Sequence, residues 1–237
     1  MKTASLLYAC RSLWPELDYR GLKVRATGPH VTKPVWKGLW RGDYEGPEIL
    51  ALSGLMRPGD RVLELGAGMG VVSGVLAKQM PESRFTSYEA NPALVPVISD
   101  LHRRNGITNV ELRSAIVAPV AGGETRQFRL HQHFTESSLV AESADAGVVE
   151  VPVHDPLDVM AELRPDVLLC DIEGGESELI PALPMAGLRA VVIELHPHIL
   201  SRLQMKRIFE AFLNAGLVPV VELSSATVVA FERVEAA

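Results

Sequence analysis

The sequence predicts an α/β fold, a three-layer sandwich around a mostly parallel seven-stranded sheet with an antiparallel edge strand. Three observations predict it. Short apolar runs alternate with helical stretches, and several runs end abruptly in a carboxylate, as at Tyr88-Glu89, Cys170-Asp171 and Ile193-Glu194. The segment Arg61-Val62-Leu63-Glu64-Leu65-Gly66-Ala67-Gly68-Met69-Gly70 reads as strand, glycine turn and helix start, a Rossmann-like unit. Two further apolar runs, 217–222 and 227–231, suit a closing antiparallel pair.

Residues 1–43 are read as an N-terminal extension or cap, and 44–237 as the main domain. The extension holds Trp14, Trp36 and Trp40 and is locally basic, with Arg11, Arg20, Lys23, Arg25, Lys33, Lys37 and Arg41. Either it packs its tryptophans on a core edge, or it caps a pocket and offers its basic groups to an anionic substrate. Pro47 then suits the first turn of a helix reaching about Met56. Val62, Leu63 and Leu65 make the glycine-loop strand, and Val72, Val75 and Leu76 the buried face of the helix after it. Arg84 to Glu89 is the next strand, followed by a helix over Leu94, Val95, Ile98 and Leu101 that stops at Asn105-Gly106. Asn109 to Arg113 is a third strand. Between 117 and 154 the alternation breaks, with strands expected at 125–133 and 148–154. His131 and His133 share a strand face there, but no cysteine or acid completes a ligand set. Asp155-Pro156 opens a short helix, 166–170 is an apolar strand, a helix runs from Glu176 to about Leu183, and 190–194 is another strand. Leu203, Met205, Ile208, Phe209, Phe212 and Leu213 line a last helix that stops at Ala215-Gly216.

Composition narrows the function. The chain has 237 residues, is 47% hydrophobic and carries a formal net charge of -6, which argues against a general nucleic-acid binder. Cys10 and Cys170 form no disulfide framework, and no run reaches bilayer-spanning length, so a cytoplasmic protein is expected. The glycine loop lacks the Lys-Ser or Lys-Thr of a phosphate loop, and Gly66, Gly68 and Gly70 are too evenly spaced for a dinucleotide fingerprint. Their pattern resembles motif I of the class I S-adenosylmethionine-dependent methyltransferases. Glu89, about twenty residues on, is placed to accept hydrogen bonds from both hydroxyls of a ribose.

The resemblance sharpens further along the chain. Asp171-Ile172-Glu173-Gly174-Gly175-Glu176, followed by Ile193-Glu194-Leu195-His196-Pro197, resembles the signature of the FkbM family of methyltransferases. The 62–70 run, Tyr88-Glu89-Ala90-Asn91-Pro92, Ser137-Ser138 and Leu157-Asp158 fit as well, so the likeness spans roughly residues 44 to 220. It implies S-adenosylmethionine as cofactor and O-methylation of a hydroxyl on a sugar, polyketide or other small metabolite. By that resemblance Gly66, Gly68 and Gly70 surround the cofactor, Glu89 holds the ribose, Ala115 borders the adenine, and Asp171 and Glu173 lie by methyl donor and substrate. Asn91 and Ser138 join the cofactor set. Glu64 either joins it or satisfies backbone donors beside the glycine turn.

Methyl transfer to a hydroxyl needs alignment, exclusion of water and a route for the proton. His196 is the preferred base, since imidazole titrates near neutrality, and Asp171 is its competitor. A metal-free site is preferred to a divalent ion held by Asp171, Glu194 and His196. The alternatives in function are a non-catalytic cofactor-binding scaffold, a nicotinamide-dependent oxidoreductase and a methyltransferase acting on a macromolecule. The expected partner is a small hydroxylated acceptor, with neither membrane nor nucleic acid and with a homodimer left open.

Overall fold

In the computed structural model, residues 8–119, 125–130 and 147–234 are described. After a 3-10 turn over Arg11–Leu13 come a hairpin, β1 (Glu16–Tyr19) and β2 (Leu22–Arg25), and two helices, α1 (Lys33–Arg41) and α2 (Gly46–Leu55). The main sheet then begins with β3 (Arg61–Leu65), α3 (Val71–Gln79), β4 (Arg84–Tyr88), α4 (Val95–Asn105) and β5 (Val110–Arg113). A smaller unit follows, made of β6 (Ile116–Val117), β7 (Thr125–Leu130) and β8 (Gly147–His154). The chain returns through α5 (Pro156–Leu163) to β9 (Val167–Cys170), α6 (Glu176–Leu179), β10 (Ala190–Glu194), α7 (Arg202–Asn214), β11 (Leu217–Pro219) and β12 (Val228–Arg233).

The seven strands of the main sheet lie in the order β11-β12-β10-β9-β3-β4-β5. β3 pairs in parallel with both β4 and β9, and β9 in parallel with β10, whereas β12 runs antiparallel to both β10 and β11. This is the Rossmann-like, three-layer α/β sandwich with a mostly parallel seven-stranded sheet that the sequence predicts. The antiparallel strand expected at the edge lies one place in from it. The short β11 takes the outermost position, and β12 turns back between it and β10.

Helices cover both faces, which is why the central strands are apolar at nearly every position. Val62, Val167, Leu169, Ala190 and Val192 pack on one side with Ile49, Leu52, Val75 and Leu76. Leu63, Leu65, Leu168, Cys170, Val191 and Ile193 pack on the other with Val159, Leu179, Ile208 and Phe212. The N-terminal extension joins the first of these clusters: Leu17, Tyr19, Leu22, Val24 and Trp36 lie in it, with Trp36 fully buried. Trp14 and Trp40 stay substantially exposed. The Tyr19 hydroxyl donates to the Tyr44 carbonyl and ties the hairpin to the start of α2. The helix expected to reach Leu183 ends at Leu179 and tightens into a 3-10 turn over Ile180–Ala182, where Pro181 removes a helical donor. No helix among the described residues is long and apolar enough to cross a membrane.

The strand order changes direction between β3 and β9. The chain runs outward through β4 and β5, then crosses back to β9. In open α/β sheets, ligands bind beyond the carboxyl ends of the strands at such a switch point.

Candidate functional site

A cleft of about 450 Å3 opens at that switch point, within the range of roughly 300–1,000 Å3 typical of ligand pockets. The ends of β3, β4, β9 and β10 supply its floor, through Leu65, Gly66, Tyr88, Glu89, Asp171 and Glu194. The smaller sheet forms one wall with Ile116, Val117 and Phe128. Tyr44 and Glu45, just ahead of α2, line it as well.

The glycine turn is shaped by close approach. Gly66 has φ +86°, and a Cβ there would lie 1.8 Å from the Asp171 carbonyl oxygen, so β3 and β9 meet where only glycine fits. The Gly66 and Ala67 amides both donate to the Tyr88 carbonyl at 3.0 Å. Gly68, at φ +55°, has open space where a Cβ would be, and it lines the cleft. Gly70 differs. It caps α3, and a Cβ there would press within 2.7 Å of Ile98, so it fixes α3 against α4 behind the cleft wall.

Glu89 is the central acid of this half. Its Oε2 accepts from the Gly68 amide at 2.8 Å and its Oε1 from the Asn91 amide at 2.7 Å, while the side chain lines the cleft. Burial raises its pKa to about 7 against those two hydrogen bonds. Asn91 is buried behind it, with Oδ1 accepting from the Ala93 amide. Glu64 also stands behind the wall. It accepts from the Ser73 amide at 3.3 Å and from the Ser87 hydroxyl, and so binds the start of α3 to β4. Ala115 is buried and lines the cleft. Ser138, like His131 and His133, lies outside the described residues.

The opposite half is a carboxylate cluster around one imidazole. His196 Nδ1 lies 2.6 Å from Glu176 Oε1, and Glu176 is fully buried. This contact turns Nε2 toward Asp171 Oδ1 at 3.5 Å and Glu173 Oε1 at 3.6 Å. Burial alone would lower the His196 pKa, but the Glu176 hydrogen bond and the Glu173 charge outweigh it, and the net shift is upward. Asp171 is driven well above the usual carboxylate range, first by burial and then by Glu45, Glu194 and Glu48. Burial also raises Glu173, against the pull of His196 and His198. Glu194 accepts from the Thr227 hydroxyl at 3.3 Å. His198 is largely exposed, its ring 5.8 Å from that of His196.

The structure thus gathers Gly66, Gly68, Glu89, Ala115, Asp171, Glu173 and His196 around one cleft, and leaves Glu64, Gly70 and Asn91 behind its wall. Sequence reasoning missed Tyr44, Glu45 and Glu48. Glu45 occupies the left-handed region at φ 50°, an uncommon conformation for a residue with a side chain, and its pKa is raised to about 7 chiefly by burial. Glu48 lies inside α2 at 4% exposure, raised by burial to about 8. A pair of acids at the head of an otherwise apolar helix was the available signal. Among the described residues, none of the basic groups of the N-terminal extension lines the cleft.

Four acids with raised pKa values, Glu48, Glu64 and Glu89 buried and Glu45 partly buried, make stability depend on pH. Glu45, Glu64 and Glu89 titrate near about 7 and Glu48 near about 8 in the folded chain, against about 4.3 for an unfolded glutamate. Between those values the folded state holds more protons than the unfolded state, so stability falls as pH rises. The melting temperature of the ligand-free protein is therefore expected to decrease steadily from pH 5 to pH 8 in a thermal-melt series. A flat or rising profile would contradict the buried placement of these carboxyls.

No protein-family model and no curated protein matches the chain. Among solved structures, the chain is similar to a precorrin-6y C5,15-methyltransferase from Geobacter metallireducens, with 17% identity over 81% of this chain and 89% of that one and a TM-score of 0.48. It is similar to a ribosomal protein L11 methylase from Lactobacillus delbrueckii, with 12% identity, 81% and 80% coverage and a TM-score of 0.48. A TehB-like SAM-dependent methyltransferase from Corynebacterium glutamicum shows 14% identity, 84% and 94% coverage and a TM-score of 0.45. The reading of the site rests on its own residues.

Proposed function

We propose that this chain is an S-adenosylmethionine-dependent methyltransferase acting on a hydroxyl of a small metabolite, of the kind the FkbM-like signature at 171–176 and 193–197 implies. One observation carries the reading: Glu45, Glu89, Asp171, Glu173 and Glu194 line the cleft, and no lysine or arginine does so among the described residues. Among the described residues such a cleft offers no Lys or Arg to the pyrophosphate of a nicotinamide cofactor. It suits a ligand bearing a sulfonium and an ammonium. The residues fit S-adenosylmethionine, since the open face at Gly68 admits a ligand to the backbone and the Glu89 carboxylate lines the cleft beside it. Gly66, Gly68, Glu89 and Ala115 would hold it. Bound there, the cofactor supplies a methyl group already activated on sulfur.

The chain's own residues do the rest. Tyr88, Ile116, Val117 and Phe128 give the cleft apolar walls that exclude water. Glu176 fixes the His196 ring, and Nε2 is the atom placed to receive the acceptor's proton. A scaffold with no turnover would have little use for a buried carboxylate positioning an imidazole at the cleft.

Calorimetric titration with S-adenosylmethionine, with NADH as control, tests this reading. Selective binding of S-adenosylmethionine is expected, and binding of NADH alone would overturn the proposal. In the Glu89→Gln variant an amide NH2 must face one of two backbone N–H donors, so affinity should fall about 10- to 100-fold, or roughly 1.4–2.8 kcal/mol. Unchanged affinity in a folded variant would remove Glu89 from the cofactor site.

A further inference from the structure

We infer that Asp171, Glu194 and His196 form a divalent-cation site of the Mg2+ or Mn2+ class on the acceptor side of the cleft. This reverses the metal-free expectation. Each residue offers one ligand atom, and these atoms all lie within 4.8 Å of one another. The arrangement follows from strand register. Cys170 of β9 is paired with Ile193 of β10, so Asp171 and Glu194 are the next residues along two adjacent parallel strands. Their carboxylates leave the sheet side by side, and His196 enters from the loop two residues later.

Two carboxylate oxygens and one imidazole nitrogen suit a hard to borderline dication that keeps water or an acceptor hydroxyl on its remaining positions. An ion bound at about 2.1 Å holds ligand atoms within about 4.2 Å of each other. The observed spread therefore closes by about half an ångström on binding, within the reach of side-chain rotation. His196 is already oriented as a ligand. Its Nδ1 is engaged by the fully buried Glu176, the carboxylate–histidine pairing that presents the other ring nitrogen to a metal.

A neighbouring cavity, lined by Asp171 but by neither Glu194 nor His196, holds a further acid. Glu48 Oε2 is buried and has no hydrogen-bond partner, although the residue is only 4% exposed. Glu48, Glu45 and Asp171 together line a small cavity of about 20 Å3 on the α2 side of the glycine turn, enough for roughly one water molecule. A water held there between Asp171 and Glu48 would donate to that orphaned oxygen and to the ion-facing carboxylate. The role of the ion rests on the methyl-transfer reading: with the ion bound, His196 Nε2 would be a ligand in place of the proton acceptor, the ion would polarise the acceptor hydroxyl, and the released proton would pass to Glu173, 3.6 Å from that nitrogen. Its binding does not rest on that reading.

The test is a titration of metal-stripped, full-length protein with Mn2+ at neutral pH, without cofactor or acceptor, following free Mn2+ by electron paramagnetic resonance. One Mn2+ per chain is expected. Affinity should fall at least tenfold in Asp171→Asn and in Glu194→Gln, both near-isosteric, with thermal melts confirming that each variant is folded. Glu178→Gln, which removes a cleft-rim carboxylate paired with Arg126, should bind as the parent does. Absence of Mn2+ binding, full binding by folded Asp171→Asn, or an equal loss in Glu178→Gln would each overturn the site. The same preparation titrated with S-adenosylmethionine separates the two claims. Cofactor binding without Mn2+ binding removes the ion alone, whereas Mn2+ binding without cofactor binding removes the methyl-transfer reading and leaves the ion site standing.

Discussion

His196→Ala is expected to lower turnover by about 10²- to 10⁴-fold, the range lost when a positioned proton-transfer group is removed, while the affinity for S-adenosylmethionine changes by no more than a few fold. The reason is spatial. On the proposed reading the Glu89 half of the cleft would hold the cofactor, whereas His196 stands at the other half, its Nε2 3.5 Å from Asp171 and 3.6 Å from Glu173. Whether that nitrogen receives a proton or holds a cation, its loss falls on the chemical step. The measurement is kcat with the first hydroxylated acceptor that supports turnover, beside a calorimetric affinity for the cofactor. Equal losses in both would return His196 to a structural role. Glu176→Gln gives the companion result. Its hydrogen bond helps to raise the His196 pKa, so its removal should move the acid limb of the kcat profile to lower pH. A smaller turnover with an unmoved profile would mean that Glu176 merely packs.

The glycine turn gives the second large effect. Gly66→Ala should cost at least several kcal/mol, enough to remove most of a stability of about 5–15 kcal/mol. The new Cβ would overlap the Asp171 carbonyl oxygen at 1.8 Å, and the backbone at φ +86° would be strained as well. Backbone lies on both sides of the clash, so no rotamer relieves it. Gly68→Ala is the instructive contrast. Nothing lies within 4 Å of its added Cβ, so the cost is the left-handed backbone alone, about 1–2 kcal/mol, and the methyl projects into the cleft. Thermal melts and cofactor titration on the pair should show Gly66→Ala failing to fold and Gly68→Ala folding with weakened binding. A stable Gly66→Ala would refute the tight approach of β3 to β9.

These two residues also show what was legible in the sequence. Glycines on alternate positions after an apolar strand announce a turn that needs them, but spacing does not say which one meets the backbone of β9, which faces a ligand and which caps a helix. Those roles depend on contacts with Asp171 and Ile98, which are remote in sequence. Strands β9 and β10 were plain because both faces are buried and their apolar runs are unbroken. The acids that end them stood out for the same reason. Glu45 and Glu48 were hidden because they stand at and just inside the start of a helix whose surroundings are set by the sheet it packs on. Glu64 had two readings from sequence, and the buried hydroxyl of Ser87 on the neighbouring strand is what engages it. The smaller sheet was only partly legible, since β6 is two residues long and is defined by pairing with β8, some forty positions on.

The place of β12 has a consequence for the order in which the chain is made. Among the described strands β12 follows all the others along the chain, and it lies between β10 and β11. Until residues 228–233 leave the ribosome, the outer edge of β10 has no partner. A nascent chain can form the parallel core and close its cleft around β3, β4, β9 and β10, yet it carries an open, apolar strand edge of the kind that invites pairing with other chains. Synthesis of residues 228–233 removes that hazard in one step, when an antiparallel strand enters the gap between β10 and β11.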